Sequence, residues 1–269
     1  MPTCVLDRAV IEAKGPDARS FLQGLLTCDV EALAPGRAAF GALLTPQGKI
    51  LFDFLVLRVD EETFLLDVAR DLAPALAKRL SLYKLRAKVA VAPTPKGVVA
   101  AWDEPPPPGL AVADPRAAGL GWRAVVEEPG PAGDRSAYDA HRIALGVPEG
   151  GLDFAYGDAY PHDANMDLLN GVSFTKGCYV GQEVVSRMKH RGGVRRRVAR
   201  ARFPGAAPPP GADIVAGDAR IGVVGAVSGH AGLATVRTDR LAVALAAGLA
   251  PLAAGAPVEL TPPDPAPAA

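Results

Sequence analysis

The chain opens with apolar residues at two different spacings. Behind Gly15-Pro16-Asp17, residues Phe21, Leu22, Leu25 and Leu26 recur at helical spacing, and a proline in the first turn suits a helix start. Residues 38–44 and 50–59 are apolar, strand-forming runs separated by Thr45-Pro46-Gln47-Gly48, a turn with proline at its second position. Together they predict a β-hairpin. A polar turn at 60–63 precedes a third strand at 64–68. Residues 71–82 predict a helix with Leu72, Leu76 and Leu80 on one face and Pro74 in its first turn, and 88–92 predict another short strand. Helices mixed with hairpins describe an α+β module.

The run Trp102 to Gly109, with consecutive prolines from Pro105 to Pro108, reads as an extended linker. Beyond it, 120–126 predicts a strand and 134–145 a helix that stops at Gly146, ahead of Pro148. After Gly192-Gly193 the pattern changes. Short, glycine-punctuated strands at 198–203, 213–215, 220–228 and 231–238 predict a small β-barrel or sandwich. The expected organisation is an α+β domain over 1–100, a second over 101–193, a β-barrel over 194–262 and a disordered proline- and alanine-rich tail over 263–269. No internal repeat is visible.

Composition narrows the functional classes. Lys and Arg balance Asp and Glu at 29 each, so no global field draws the chain to nucleic acid or an anionic membrane, and no direct nucleic-acid partner is expected. No stretch approaches the roughly 20 apolar residues that span a bilayer. The N-terminus lacks a basic region followed by an apolar core, so a cytoplasmic protein is expected. The three cysteines, Cys4, Cys28 and Cys178, are unevenly spaced and form no CxxC, which argues against a disulfide framework. They also exclude a four-cysteine cluster site within one chain, and no metal site is predicted.

The most specific stretch is Lys176-Gly177-Cys178-Tyr179-Val180-Gly181-Gln182-Glu183. Two glycines bracket the cysteine. A helical pattern follows, with Val184, Val185 and Met188 on one side and Glu183, Arg187 and Lys189 on the other. Backbone N–H groups at a helix start favour an anion, and Lys176 brings a positive charge nearby, which makes Cys178 a candidate reactive thiolate. A small cysteine buried in a tight loop is the equally open alternative.

This string resembles the signature of the YgfZ-like folate-binding proteins, relatives of the glycine-cleavage T-protein, an aminomethyltransferase. Two other stretches share the resemblance: FLQGLLTCDVEAL with LLTPQGKILFDFLV near the N-terminus, and RIALGVPEGGLDF through PHDANMDLL before the signature. The resemblance implies a T-protein-like ring of two mixed α+β domains, interleaved in sequence, and a C-terminal barrel, around a central hole that holds tetrahydrofolate. It implies a role in assembling or maintaining iron–sulfur clusters in client enzymes, tRNA-modifying enzymes among them. Cys178 would be the functional thiol and Lys176 its electrostatic partner. Gly177 and Gly181 would let the backbone approach a ligand. Tyr179, Gln182, Glu183 and Arg187 would orient the loop or meet the folate. The aminomethyltransferases lack this cysteine. They carry a carboxylate where this chain has Pro74 or a neighbour, and a glutamate where it has Ala144, so their reaction is not expected here. The alternatives are a one-carbon transferase using Asp53 or Asp71, and a scaffold that binds no folate.

Other candidates have plainer readings. Asp53, alone among apolar neighbours, fits the solvent side of a sheet. Asp153, Asp158, Asp163 and Asp167 lack EF-hand spacing and read as surface carboxylates. His162 and His190 read as ordinary polar residues, and Ser173 lacks a nucleophile motif. The basic run from Arg187 to Arg202 reads, apart from Arg187, as a solvated helix end leading into a strand with outward arginines. Carboxylate or phosphate binding is the alternative.

Overall fold

A computed structural model describes residues 2–103, 105–130, 134–190 and 194–264. Strand β1 (Thr3–Leu6) runs almost directly into β2 (Arg8–Lys14) and a short helix, α1 (Ala18–Gln23). The predicted hairpin is β3 (Ala38–Leu44) with β4 (Ile50–Arg58). It leads to β5 (Thr63–Ala69), helix α2 (Ala73–Tyr83) and β6 (Ala90–Pro93). Then come β7 (Gly97–Ala101), β8 (Leu110–Ala113), β9 (Trp122–Val126), helix α3 (Arg135–Ala144) and, after a long irregular stretch, helix α4 (Gln182–His190). The C-terminal region contains β10 (Arg196–Arg202), β11 (Asp213–Ala216), β12 (Ala219–Ser228), β13 (Ala231–Arg237), helix α5 (Thr238–Ala246), β14 (Leu252–Ala253), β15 (Ala256–Pro257) and β16 (Glu259–Thr261).

Strands β2 to β6 form a five-stranded antiparallel sheet ordered β3-β4-β5-β2-β6. Its alternate residues serve two cores. Ile11, Phe52, Phe54, Val56, Phe64 and Leu66 pack with Leu22 of α1 and Leu76 and Leu80 of α2. Val10, Leu55, Leu57 and Leu65 face the other way, toward the four-stranded sheet β1-β7-β9-β8, with Leu6, Val98 and Val125. Because both faces are covered, β4 reads as one apolar run rather than an alternation. β1 and β2 lie in different sheets although only Asp7 separates them.

The proline run does not separate two modules. It joins β7 to β8, and β9 pairs with both of these strands within one sheet. A boundary at residue 100 therefore cuts that sheet, because a strand later in sequence completes the pairing.

The C-terminal strands form a nearly closed seven-stranded barrel ordered β15-β14-β11-β12-β13-β10-β16, filled by Phe203, Ile214, Ile221, Val224, Val236 and Leu241. The fold is mixed α+β with a C-terminal β-barrel. The expected disordered tail lies outside the described residues from 265 onward.

Two polar systems hold these parts together. Between the sheets, Arg8 pairs with Asp67, Arg123 lies 3.5 Å from Asp67 and 3.3 Å from Asp114, and Arg116 lies 2.7 Å from Asp114. Burial alone would raise the Asp114 carboxyl, but Arg116 and Arg123 hold it well below the usual carboxylate range. The second system docks the barrel. Asp153 accepts from Arg142 at 2.7 Å and from the Ala226 N–H at 2.8 Å, while its carbonyl accepts from the Thr235 hydroxyl at 2.8 Å. Arg196 pairs with Asp158 and Asp163, and Arg197 with Asp167.

These contacts correct two expectations. Asp153 and Asp163 are buried rather than at the surface, and Arg196 and Arg197 bridge to carboxylates rather than pointing freely outward. The fold pairs the acidic and basic runs with each other. Asp53 is also buried, at 5% exposure, because the Tyr156 hydroxyl donates to it at 2.5 Å and replaces the lost water.

Candidate functional site

The signature loop is built by anchoring its flanks. The Thr27 hydroxyl donates to the Gly171 carbonyl at 2.6 Å and accepts the Ala42 N–H at 2.8 Å, and the Ser173 N–H donates to the Thr27 carbonyl at 2.8 Å. One buried threonine therefore ties the loop's entry to β3. The Lys176 ammonium then donates to the carbonyls of Gln23 and Leu26 at 2.7 Å and of Cys28 at 2.8 Å. These are acceptors at and just beyond the end of α1, where a helix leaves carbonyls without internal partners and favours a cation. All three ammonium donors are thereby engaged. Burial lowers the Lys176 pKa, with Cys28 and Asp29 acting in the opposite sense.

On the far side of the cysteine, the Tyr179 ring is buried 5.3 Å from the Lys176 ammonium. Its hydroxyl is buried without a partner among the described residues, and burial pushes its pKa up to about 12. Gly181, at φ +81°, lies against the β3–β4 turn. A β-carbon there would sit 2.6 Å from the Thr45 carbonyl oxygen and 3.0 Å from the Gly48 α-carbon. The glycine is required by this close approach of two backbones, which explains it without a ligand.

Between these anchors Gly177 and Cys178 are exposed, and open space surrounds the position of a Gly177 β-carbon. The other two cysteines are buried, and burial pushes the Cys28 thiol up to about 12. Cys178 is thus the exposed thiol of the chain. Helix α4 begins at Gln182, a full turn after it, and the Gln182 N–H already donates to the Tyr179 carbonyl. Along α4, Val185 is buried, while Glu183 and Arg187 pair at 2.6 Å on the exposed surface.

The predicted residues therefore divide. Lys176, Tyr179 and Gly181 lie inside and fix the loop, Gly177 and Cys178 form its exposed tip, and Glu183 and Arg187 engage each other. They line none of four surface clefts of about 250–330 Å³ among the described residues. Among them the Tyr179 hydroxyl is buried without a hydrogen-bond partner among the described residues.

Two residues of this region escaped the sequence reading, and a third was misjudged. Thr27 stands out only as a polar residue inside an apolar run. Tyr156 becomes significant only beside Asp53. His162 is 1% exposed, both its ring nitrogens lack partners among the described residues, and burial lowers its pKa. This corrects the reading of His162 as an ordinary polar residue. Asp71 is exposed in a single turn before α2. Among the described residues no group of three or more His, Cys, Asp or Glu side chains is placed to hold a metal ion.

Comparison with known proteins agrees with this architecture. Residues 7–94 match the GCVT N-terminal domain family, and residues 195–268 match the family described as CAF17, C-terminal beta-barrel domain. The chain superposes on the glycine cleavage system aminomethyltransferase T from Bartonella henselae with a TM-score of 0.70, over 88% of this chain and 78% of that one. At 19% identity this likeness shows the fold alone. The mitochondrial iron-sulfur cluster assembly factor IBA57 of Homo sapiens is 34% identical over 272 residues, 87% of this chain and 76% of that protein. The Neurospora crassa homolog is 35% identical over 245 residues, 78% of this chain and 56% of that protein. The YgfZ-like proteins belong to the same broad group. These relatives are named as mitochondrial, which overturns the expectation of a cytoplasmic protein; the absence of a secretory signal says nothing about other destinations. At 34% identity over 87% of this chain and 76% of the human protein, the chain belongs to the IBA57 family of iron–sulfur cluster assembly factors, built on the aminomethyltransferase fold.

Proposed function

We propose that this protein acts in iron–sulfur cluster assembly by offering Cys178 as an external thiolate ligand to a cluster carried or received by a partner protein. The observation that carries the reading is the exposure of Cys178 on a loop whose flanks are locked by Lys176, Tyr179 and Gly181. A two- or four-iron cluster takes about four protein ligands, and one exposed thiol supplies one of them. The remaining ligands come from the partner, so the cluster is cargo shared across an interface. The thiol loses its proton when iron binds, which makes the interaction weaken as pH falls. Lys176 positions the loop and does not touch the cluster.

In this reading the clients include enzymes that modify tRNA, and RNA is met by the client and not by this chain. The support is the signature alone. Tetrahydrofolate is assigned no chemistry, because Gly181 is filled by the hairpin turn and Glu183 and Arg187 satisfy each other. Calorimetric titration of tetrahydrofolate into the wild type and Tyr179→Phe tests the one remaining polar atom. Heat in the wild type that is lost in the variant would restore a folate site. The transferase alternative keeps one buried carboxylate, Asp53, whose oxygen is already taken by Tyr156, and is not adopted.

The test of the thiol is transfer of a cluster from a loaded carrier protein to an apo client, followed by visible circular dichroism and client activity. Cys178→Ser should slow transfer by at least about tenfold, an amount a lost metal ligand readily accounts for. Transfer at the wild-type rate would remove Cys178 from the mechanism.

A further inference from the structure

Three clefts on the barrel join end to end. The first is an apolar trough of about 330 Å³ along α5, with Val243, Ala247 and Leu249 in its lining. Arg240 belongs both to this trough and to a second cleft of about 250 Å³, where Arg196, Arg220 and Arg237 converge from separate strands. Arg196 and Arg237 in turn belong to a third cleft of about 260 Å³, which reaches Arg195 and, on α4, Met188. The track thus runs from the barrel helix to the helix that follows the Cys178 loop.

Its two ends differ in chemistry. Helix α5 buries Leu241 and Ala244 against the barrel, yet the trough leaves Val243 of its outer face 72% exposed and Leu249, just past its end, 43% exposed. Exposed apolar side chains grouped along a groove mark a contact surface. In the middle, Arg220 is held by Asp213, Arg237 by Asp239, and Arg196 by Asp158 and Asp163. These pairs fix the guanidinium planes in place. Arg195 and Arg240 have no carboxylate partner among the described residues, so the track carries a local positive excess in a chain of zero net charge.

We propose that this track docks an acidic, apolar-studded polypeptide segment of a partner protein, with its carboxylates on Arg240 and Arg195 and its apolar side chains in the α5 trough. Guanidinium forks match carboxylates, and the apolar trough gives a phosphodiester chain nothing to bury. Tyr160 is the one aromatic residue lining the three clefts, so a base-stacking surface is absent from them. The segment's place on the partner rests on the cluster-sharing reading above; its binding to the barrel does not.

Fluorescence anisotropy on the full chain decides the matter, with a short labelled peptide of alternating Glu and Leu as the probe. The peptide should bind, and binding should weaken by about tenfold or more in Arg240→Glu and in Val243→Asp, each removing one kind of contact. Replacing its Leu by Ser should weaken binding, and replacing its Glu by Lys should abolish it. Arg195→Ala, at an exposed position, should reproduce part of the loss. Cys178→Ser should bind the peptide as the wild type does while failing in cluster transfer, which separates this surface from the thiol. Peptide affinity indifferent to Arg240→Glu, Val243→Asp and Arg195→Ala, or tighter binding of a single-stranded RNA oligonucleotide that displaces the peptide, would overturn the proposal.

Discussion

Charge is handled in opposite ways between the sheets and at the signature loop. Between the sheets, Arg8, Arg116 and Arg123 face Asp67 and Asp114 in a closed network of both signs. At the loop, Lys176 is buried with no salt-bridge partner among the described residues and rests on three neutral carbonyls, while the neighbouring thiol stays outside. The first arrangement sets three guanidiniums against two carboxylates inside the chain and is architecture. The second uses one charge to fix a loop beside an exposed thiol, the arrangement on which the proposed role of Cys178 rests.

The comparison breaks most severely at the network. Asp114→Ala leaves two guanidiniums facing each other in the interior, and should cost about 3–5 kcal/mol in denaturant unfolding. Lys176→Met strands three carbonyls while preserving the side chain's bulk. About 2 kcal/mol of stability should be lost, with faster proteolysis of the loop and slower cluster transfer. A transfer rate that survives this change would show that the loop needs no such brace.

A smaller effect belongs to His162. Its folded-state pKa is lowered, so the unfolded chain takes up the proton first as pH falls. The stability linked to the neutral ring is fully present above the unfolded value of about 6.5 and is lost as pH drops below it. The slope is at most about 1.4 kcal/mol per pH unit. Urea unfolding at several pH values should show this slope, and His162→Phe should flatten it. The smallest expected change is the stability of Cys178→Ser, within about 0.5 kcal/mol of wild type, because an exposed side chain is altered. Lost transfer with unchanged stability is the sharpest form of the comparison.

Much of this was legible along the chain. The hairpin around Thr45–Gly48, the helix with Leu76 and Leu80, and the strands of the barrel follow from apolar spacing and turn residues, which are local properties. The cysteine in its glycine loop was legible as a motif. The use of the surrounding residues was not. Lys176 pointed by sequence proximity to Cys178, but its ammonium reaches carbonyls some 150 residues earlier. Gly181 read as room for a ligand and is occupied by Gly48 and Thr45. Asp153 and Asp163 read as surface carboxylates because the arginines and backbone groups that permit their burial lie elsewhere in the chain.

The sequence by itself therefore determined the elements, the family signature and the identity of the candidate thiol, since each depends on residues within a few turns of one another. Only the tertiary structure decided which charges are buried, which strands share a sheet across the proline run, and which of three cysteines faces water. Those outcomes depend on desolvation and on partners brought together from distant segments, and no local pattern encodes them.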